Sequence, residues 1–169
     1  MEAVVGGALA AAGLTLATAE SCTGGLVGHL VTAVPGSSAC YLGGVVAYSN
    51  AAKERLLGVP GAAIAAHGAV SREVVAAMAE GAARAFGASL GVAVSGVAGP
   101  GGGTEAKPVG TVWIGVAGVR GTGASLLQLK GTRAAIRHAA AIHALDAVRR
   151  EVLGLPGRGG GAERGTGGT

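Results

Sequence analysis

The stretch LTLATAESCTGG, residues 14–25, decides how the rest of the chain reads. Leu14 to Ala19 is short, apolar and rich in threonine, which is the pattern of a buried strand. Thr23-Gly24-Gly25 then opens a helix expected to run through Val34 and to close at Pro35-Gly36. A strand with both faces buried that feeds directly into a helix belongs to an α/β arrangement.

The flanking sequence repeats the alternation. Glu2 to Ala12 has helical composition, and Gly13 is a natural stop. Tyr41 to Tyr48 reads as a second strand, Ala51 to Leu57 as a short helix capped by Asn50, and Pro60 to Gly68 as a helical or turn segment. Ser71 begins the clearest helix, with Glu73 in its first turn and Val74, Val75, Met78, Ala82 and Phe86 on one face. Leu90 to Val94 is a buried strand, and Ala98 to Pro108 is a Gly/Pro loop. Val109 to Val116 and Ser125 to Leu129 form an expected hairpin through Gly118–Gly123. Arg133 to Val152 is the last helix, with Ile136, Ala140, Leu145 and Val148 inward. The body, residues 1–153, is therefore expected to be one α/β domain whose mixed sheet is covered on both faces. Half of the 16 residues from Gly154 onward are glycine, so 154–169 read as a disordered tail.

Composition removes several function classes. Of 169 residues 34 are glycine, half are hydrophobic and 13% are charged, which excludes an intrinsically disordered body. Aromatics are too scarce, at 2%, for a single-strand stacking platform. Asp146 is the single aspartate, Cys22 and Cys40 are far apart, and His29, His67, His138 and His143 are scattered without evident carboxylate partners. No metal site and no metal cofactor are expected. Net charge is +4, yet no Lys or Arg precedes Lys53 and no basic run follows it, so a nucleic-acid partner is not expected. Ala17-Thr18-Ala19 mimics a signal-peptide cleavage site, but no positive segment precedes it and glycines interrupt the apolar run. No run reaches the ~20 apolar residues a membrane span needs. A soluble, cytoplasmic protein without membrane attachment is expected, and the paucity of charge favours a homo-oligomer.

Three segments carry candidate chemistry. In Ala19–Gly25 the hydroxyl of Ser21 ends a buried strand at the start of a helix, where unpaired N–H groups around Thr23, Gly24 and Gly25 favour an oxyanion. Ser21 and Thr23 could equally do no more than cap that helix. In Tyr48–Lys53, a lysine near a helix start is electrostatically awkward, and dipole and burial both push it toward the neutral amine a general base needs; a solvated lysine is the plainer reading. The third segment, Ser95 through Gly99-Pro100-Gly101-Gly102-Gly103-Thr104, is neither a P-loop nor a dinucleotide fingerprint. Its glycines at a strand's carboxyl end can still present N–H groups to an anion. Arg133 and Arg137, one turn apart, could clamp a phosphate or simply be solvated. A Ser-His-Asp triad would have to recruit Asp146, which has no supporting motif.

With these segments in hand, the chain resembles the CinA C-terminal domain family, also known as the PncC-type nicotinamide-nucleotide amidohydrolases. The resemblance is carried by AESCTGG (19–25), GGVVAYSNAAKERLLGV (43–59), HGAVS (67–71), SGVAGPGGGTEAKPVGTVWIG (95–115) and GTRAAIR (131–137), and it covers residues 1–153 in the stand-alone form. It implies a three-layer α/β/α sandwich with a mixed, mostly parallel sheet of about five strands. It also implies hydrolysis of the carboxamide of nicotinamide mononucleotide, a small-molecule nucleotide substrate, to nicotinate mononucleotide and ammonia without a cofactor. Carried onto this sequence, Ser21 is the nucleophile, Lys53 the base and Tyr48 the residue that relays or orients the proton. Ser95, Gly101, Gly102 and Thr104, with Arg133 or Arg137, would hold the ribose phosphate. Thr132 stands where the family often has an acidic residue, and Ser95 where it frequently has Thr. A non-catalytic nucleotide- or partner-binding module tied to competence or DNA damage is the alternative.

Overall fold

The computed structural model describes residues 1–156; the expected glycine-rich tail lies, from residue 157, outside the described residues. In chain order the elements are α1 (Glu2–Ala12), β1 (Leu16–Glu20), α2 (Leu26–Thr32), β2 (Tyr41–Val46), α3 (Asn50–Leu57), α4 (Gly61–His67), α5 (Arg72–Phe86), β3 (Leu90–Gly96), β4 (Thr111–Gly118), β5 (Gly121–Gln128) and α6 (Arg133–Val152). The strands form one sheet in the order β2-β1-β3-β4-β5. β1 pairs in parallel with both β2 and β3, while β3-β4 and β4-β5 are antiparallel. Only β4 therefore runs against the others, and the sheet is mixed and mostly parallel, as expected.

Strand alternation divides the core in two. Leu16, Leu90, Val92, Val94, Val112 and Ile114 face Val5 and Leu9 of α1, Val27 of α2 and the inward residues of α6. Ala17, Ala19, Ala93 and Ala117 face Val74, Val75, Met78 and Ala82 of α5 and Leu57 of α3. The result is a three-layer α/β/α sandwich.

The second face is built from very small residues because α5 lies almost against the strands. A Cβ on Gly91 would overlap the carbonyl oxygen of Ala79, one on Gly115 that of Val75, and one on Gly81 that of Leu57. These neighbours are backbone atoms and cannot swing aside. Gly91→Ala is expected to cost about 1–3 kcal/mol, lowering the melting temperature by roughly 2–12 °C. Gly6→Ala, where a Cβ meets nothing within 4 Å on α1, should instead raise stability by about 0.4–1 kcal/mol. Thermal unfolding of the two variants checks both signs.

Several boundaries differ from expectation for identifiable reasons. β1 begins at Leu16 rather than Leu14, because Gly13 (φ 63°) and Leu14 donate back to Ala10 and Leu9 and close α1. Ser49 rather than Asn50 caps α3, accepting the Ala52 N–H at 3.2 Å. Ser71 caps α5 as expected. β5 extends back through the glycines to Gly121, since pairing with β4 closes a two-residue turn at Val119–Arg120. At the far end of α6, Leu155 N–H bonds Arg150 O and Arg150 Nη1 bonds Pro156 O, so residues 154–156 are tied to the helix instead of trailing from it. No helix among the described residues is long and apolar enough to cross a membrane.

Candidate active site

The ladder around β1 continues one residue beyond the strand: Ser21 N–H donates to Val94 O and Ala47 N–H to Glu20 O, both at 2.9 Å. Ser21 thus stands at the carboxyl edge of the central parallel strand. The chain leaves β1 toward β2 on one side, while β3 lies on the other. Such a reversal opens a crevice at the strand ends of an α/β sheet.

Glu20, immediately before Ser21, has a role the sequence reading did not assign. Its buried carboxylate accepts the N–H groups of Gly25 (2.9 Å), Val27 (3.0 Å) and Gly28 (2.8 Å). It is the cap of α2, reaching up from the strand and satisfying amides that would otherwise be orphaned. This is also why α2 begins at Leu26 and not at Thr23. The signal available in the sequence was a carboxylate inside a wholly buried strand, which requires several donors nearby. Because Glu20 caps the helix, neither Ser21 nor Thr23 has to.

The Ser21 hydroxyl meets Lys53, carried on α3. Lys53 is only 1% exposed, and its Nζ lies 3.2 Å from Ser21 Oγ, 3.0 Å from Ala47 O and 3.5 Å from Tyr48 O. No carboxylate pairs with it among the described residues. Burial pushes the amine below the ordinary lysine range, with a smaller opposing influence from Cys22. The three oxygens suit both protonation states: an ammonium donates to all of them, and a neutral amine donates to the two carbonyls and turns its lone pair to the Ser21 hydroxyl.

The amides open to an oxyanion differ from those expected. Gly24 N–H is bonded to Ser21 O at 3.1 Å and Gly25 N–H to Glu20, which removes both from the candidate set. The N–H groups of Cys22 and Thr23, the two residues after Ser21, have no acceptor among the described residues, but Thr23 is 0% exposed and Cys22 6%, so the Cys22 N–H is the one a ligand oxygen could approach. The Cys22 thiol faces the apolar core and burial pushes it up to about 11, so it stays protonated at neutral pH and does not compete as a nucleophile. Thr23 Oγ1 is buried without a partner.

Tyr48 is 60% exposed, and its hydroxyl accepts from Arg133 Nη2 at 3.1 Å. The hydroxyl makes no hydrogen bond to Ser21 or Lys53; the part of Tyr48 bonded to Lys53 is its carbonyl. Arg133 also donates to Gly99 O at 2.7 Å, joining Tyr48 to the glycine loop. Lys107 ties the loop's other end to His67 O at 2.7 Å, and Thr104 closes a local turn with Lys107. Gly101 and Gly102 lie exposed between these anchors. Ser95 is buried and donates to Ala69 O at 2.7 Å, which holds the loop's root rather than its open face.

Two further sequence readings are settled by position. Arg133 and Arg137 do not act as a pair: Arg137 donates to Cys22 O (3.1 Å) and Thr23 O (2.7 Å). Asp146 is bound by Arg149 and Arg150 of its own helix and takes no part in the site. His67 does have a carboxylate neighbour, Glu73 at 3.8 Å, on the exposed surface.

Residues 1–152 match the CinA C-terminal domain family. The chain is 57% identical over 141 residues to a CinA-like protein of Anaeromyxobacter sp. (strain K), covering 83% of this chain and 35% of that protein. It is 55% identical over 137 residues to a CinA-like protein of Gemmatimonas aurantiaca, covering 81% and 32%. The chain thus spans about a third of the length of these curated relatives. Among solved structures it resembles a CinA superfamily protein from Klebsiella pneumoniae 700603, with a TM-score of 0.87 and 34% identity over 91% of this chain and 96% of that one. It also resembles the competence/damage inducible protein CihA from Agrobacterium tumefaciens, with a TM-score of 0.78 and 37% identity over 90% and 91% of the two chains.

Proposed function

The chain belongs to the CinA C-terminal domain family, and we propose that it is an amidohydrolase acting through Ser21 and Lys53 on the carboxamide of nicotinamide mononucleotide. The observation that carries this reading is the buried, carboxylate-free amine of Lys53 at 3.2 Å from Ser21 Oγ. Burying a lysine without a counter-charge is unfavourable for stability, and a module that only binds gains nothing from it. A general base gains the neutral amine it requires.

The reaction follows from the groups present. Ser21 Oγ attacks the carboxamide carbon while Lys53 takes its proton. The oxygen that gains negative charge is held by the unpaired N–H of Cys22. Lys53 then returns the proton to the departing nitrogen, the C–N bond breaks, and ammonia leaves an ester on Ser21. Water, deprotonated by the same amine, attacks that ester; nicotinate mononucleotide departs and Ser21 is reprotonated. Arg133, exposed at the mouth, is the cation suited to the substrate phosphate, with Gly101 and Gly102 offering backbone to the same end. Tyr48, held by Arg133, stands where it can orient the bound nucleotide.

The test is direct. Purified protein incubated with nicotinamide mononucleotide should release ammonia and nicotinate mononucleotide in equal amounts. Absence of both products, from folded protein at pH values up to 9, would overturn the reading.

A further inference from the structure

We propose that Arg137 is a positioning residue: from α6 it fixes the peptide planes of the turn that presents the oxyanion-binding Cys22 amide after Ser21. The inference rests on the acyl-transfer reading of the site, and gives Arg137 a task other than gripping the substrate.

The geometry lies in the turn between β1 and α2. A trans peptide is planar, with its C=O and N–H pointing opposite ways, so bonding the carbonyl fixes where the N–H points. Ser21 O accepts from Gly24 N–H at 3.1 Å, which sets the direction of the Cys22 N–H. Cys22 O accepts from Arg137 Nε at 3.1 Å, which sets the direction of the Thr23 N–H. Thr23 O accepts from Arg137 Nη2 at 2.7 Å, and this turns the Gly24 N–H back onto Ser21 O. The three consecutive planes therefore form one locked set, and two of its three locks come from a single guanidinium.

Direction matters as much as rigidity. Helix α6 packs on the sheet face that holds Leu16, Val92 and Val94, whereas Lys53 comes from α3, whose Leu57 packs on the opposite face. The carbonyls of Cys22 and Thr23 are drawn toward α6, away from Lys53. Without Arg137 neither has a bond holding it; the Thr23–Gly24 plane could then turn, the Gly24 N–H would leave Ser21 O, and the Cys22 N–H would lose its direction. A lysine at position 137 could reach these carbonyls, as Lys53 reaches Ala47 O and Tyr48 O, but without the rigid planar fork that fixes two donor directions at once.

The test compares wild type, Arg137→Ala and Arg137→Lys, using phenylboronic acid as the probe because its anionic tetrahedral adduct with a serine places a boron-bound oxygen in the oxyanion position. Wild type should form the adduct at Ser21, seen by boron NMR. Arg137→Ala should bind the probe about 100-fold more weakly and lose a similar factor in kcat with KM nearly unchanged. Millimolar guanidinium should recover at least about tenfold, and Arg137→Lys should fall between the two, folding being checked by thermal unfolding. Unchanged probe affinity in Arg137→Ala, or a raised KM with intact kcat, overturns the positioning role. No adduct in wild type overturns the serine-nucleophile reading and this inference with it, whereas an adduct without ammonia release overturns only the substrate.

Discussion

Ser21→Ala is expected to lower ammonia release from nicotinamide mononucleotide by at least about 10⁴-fold, because removing a covalent nucleophile leaves only binding and oxyanion stabilisation. The neighbouring thiol gives no rescue. Cys22 faces the core, and with its thiol pushed up to about 11 by burial only on the order of one molecule in 10⁴ carries a thiolate at pH 7. Substrate affinity should survive, since Arg133 and the glycine loop are untouched, so the loss falls on kcat. The variant keeps the Ser21 backbone bond to Val94 O and should fold normally. Activity within tenfold of wild type would place the nucleophile elsewhere.

Lys53→Met is expected to cost about 10²–10⁴-fold in kcat/KM, the range of a lost general base, and to abolish the rising alkaline limb of the pH profile. In wild type that limb has its midpoint below 10.5, because burial lowers the amine from that value. The same shift makes a statement about stability. The folded protein binds the Lys53 proton less tightly than the unfolded chain, so between the folded value and 10.5 the unfolded state carries more protons. Stability then rises with pH through that window. Wild type should accordingly gain stability relative to Lys53→Met as pH is raised from 7 toward 10.5, measured by paired thermal unfolding. A difference flat across that range would mean that the lysine is charged when buried.

Hydrophobic runs and glycine stops made the architecture legible in the sequence, whereas the pair Ser21–Lys53 came from the family resemblance: read locally, Ser21 could simply cap a helix and Lys53 be solvated. The sequence did not show how backbone donors are distributed. The amides of Thr23, Gly24 and Gly25 look equivalent in one dimension, yet Glu20 takes Gly25, the Ser21 carbonyl takes Gly24 and Thr23 is fully buried, leaving Cys22. Helical spacing likewise puts Arg133 and Arg137 side by side, but one turn of α6 is enough to send the first to Gly99 and Tyr48 and the second to the serine turn. The glycines had divided into those near a substrate and those in the tail. A third group, Gly81, Gly91 and Gly115, exists because helix or chain backbone touches them, a contact that no periodicity encodes.

The bonds from Arg137 to Cys22 and Thr23 join positions 115 and 114 residues apart, and this gives the site an order of appearance during synthesis. Ser21 and Lys53 both precede β3 in the sequence, but β1 has no inner neighbour until β3 emerges, and the turn after Ser21 has no outer tether until α6 does. A nascent chain thus carries Ser21 through the synthesis of α6 before the turn that follows it is held in place. Termination upstream of Arg137 should yield a fragment with Ser21 and Lys53 intact and no catalysis, so chemical competence arrives with the last helix.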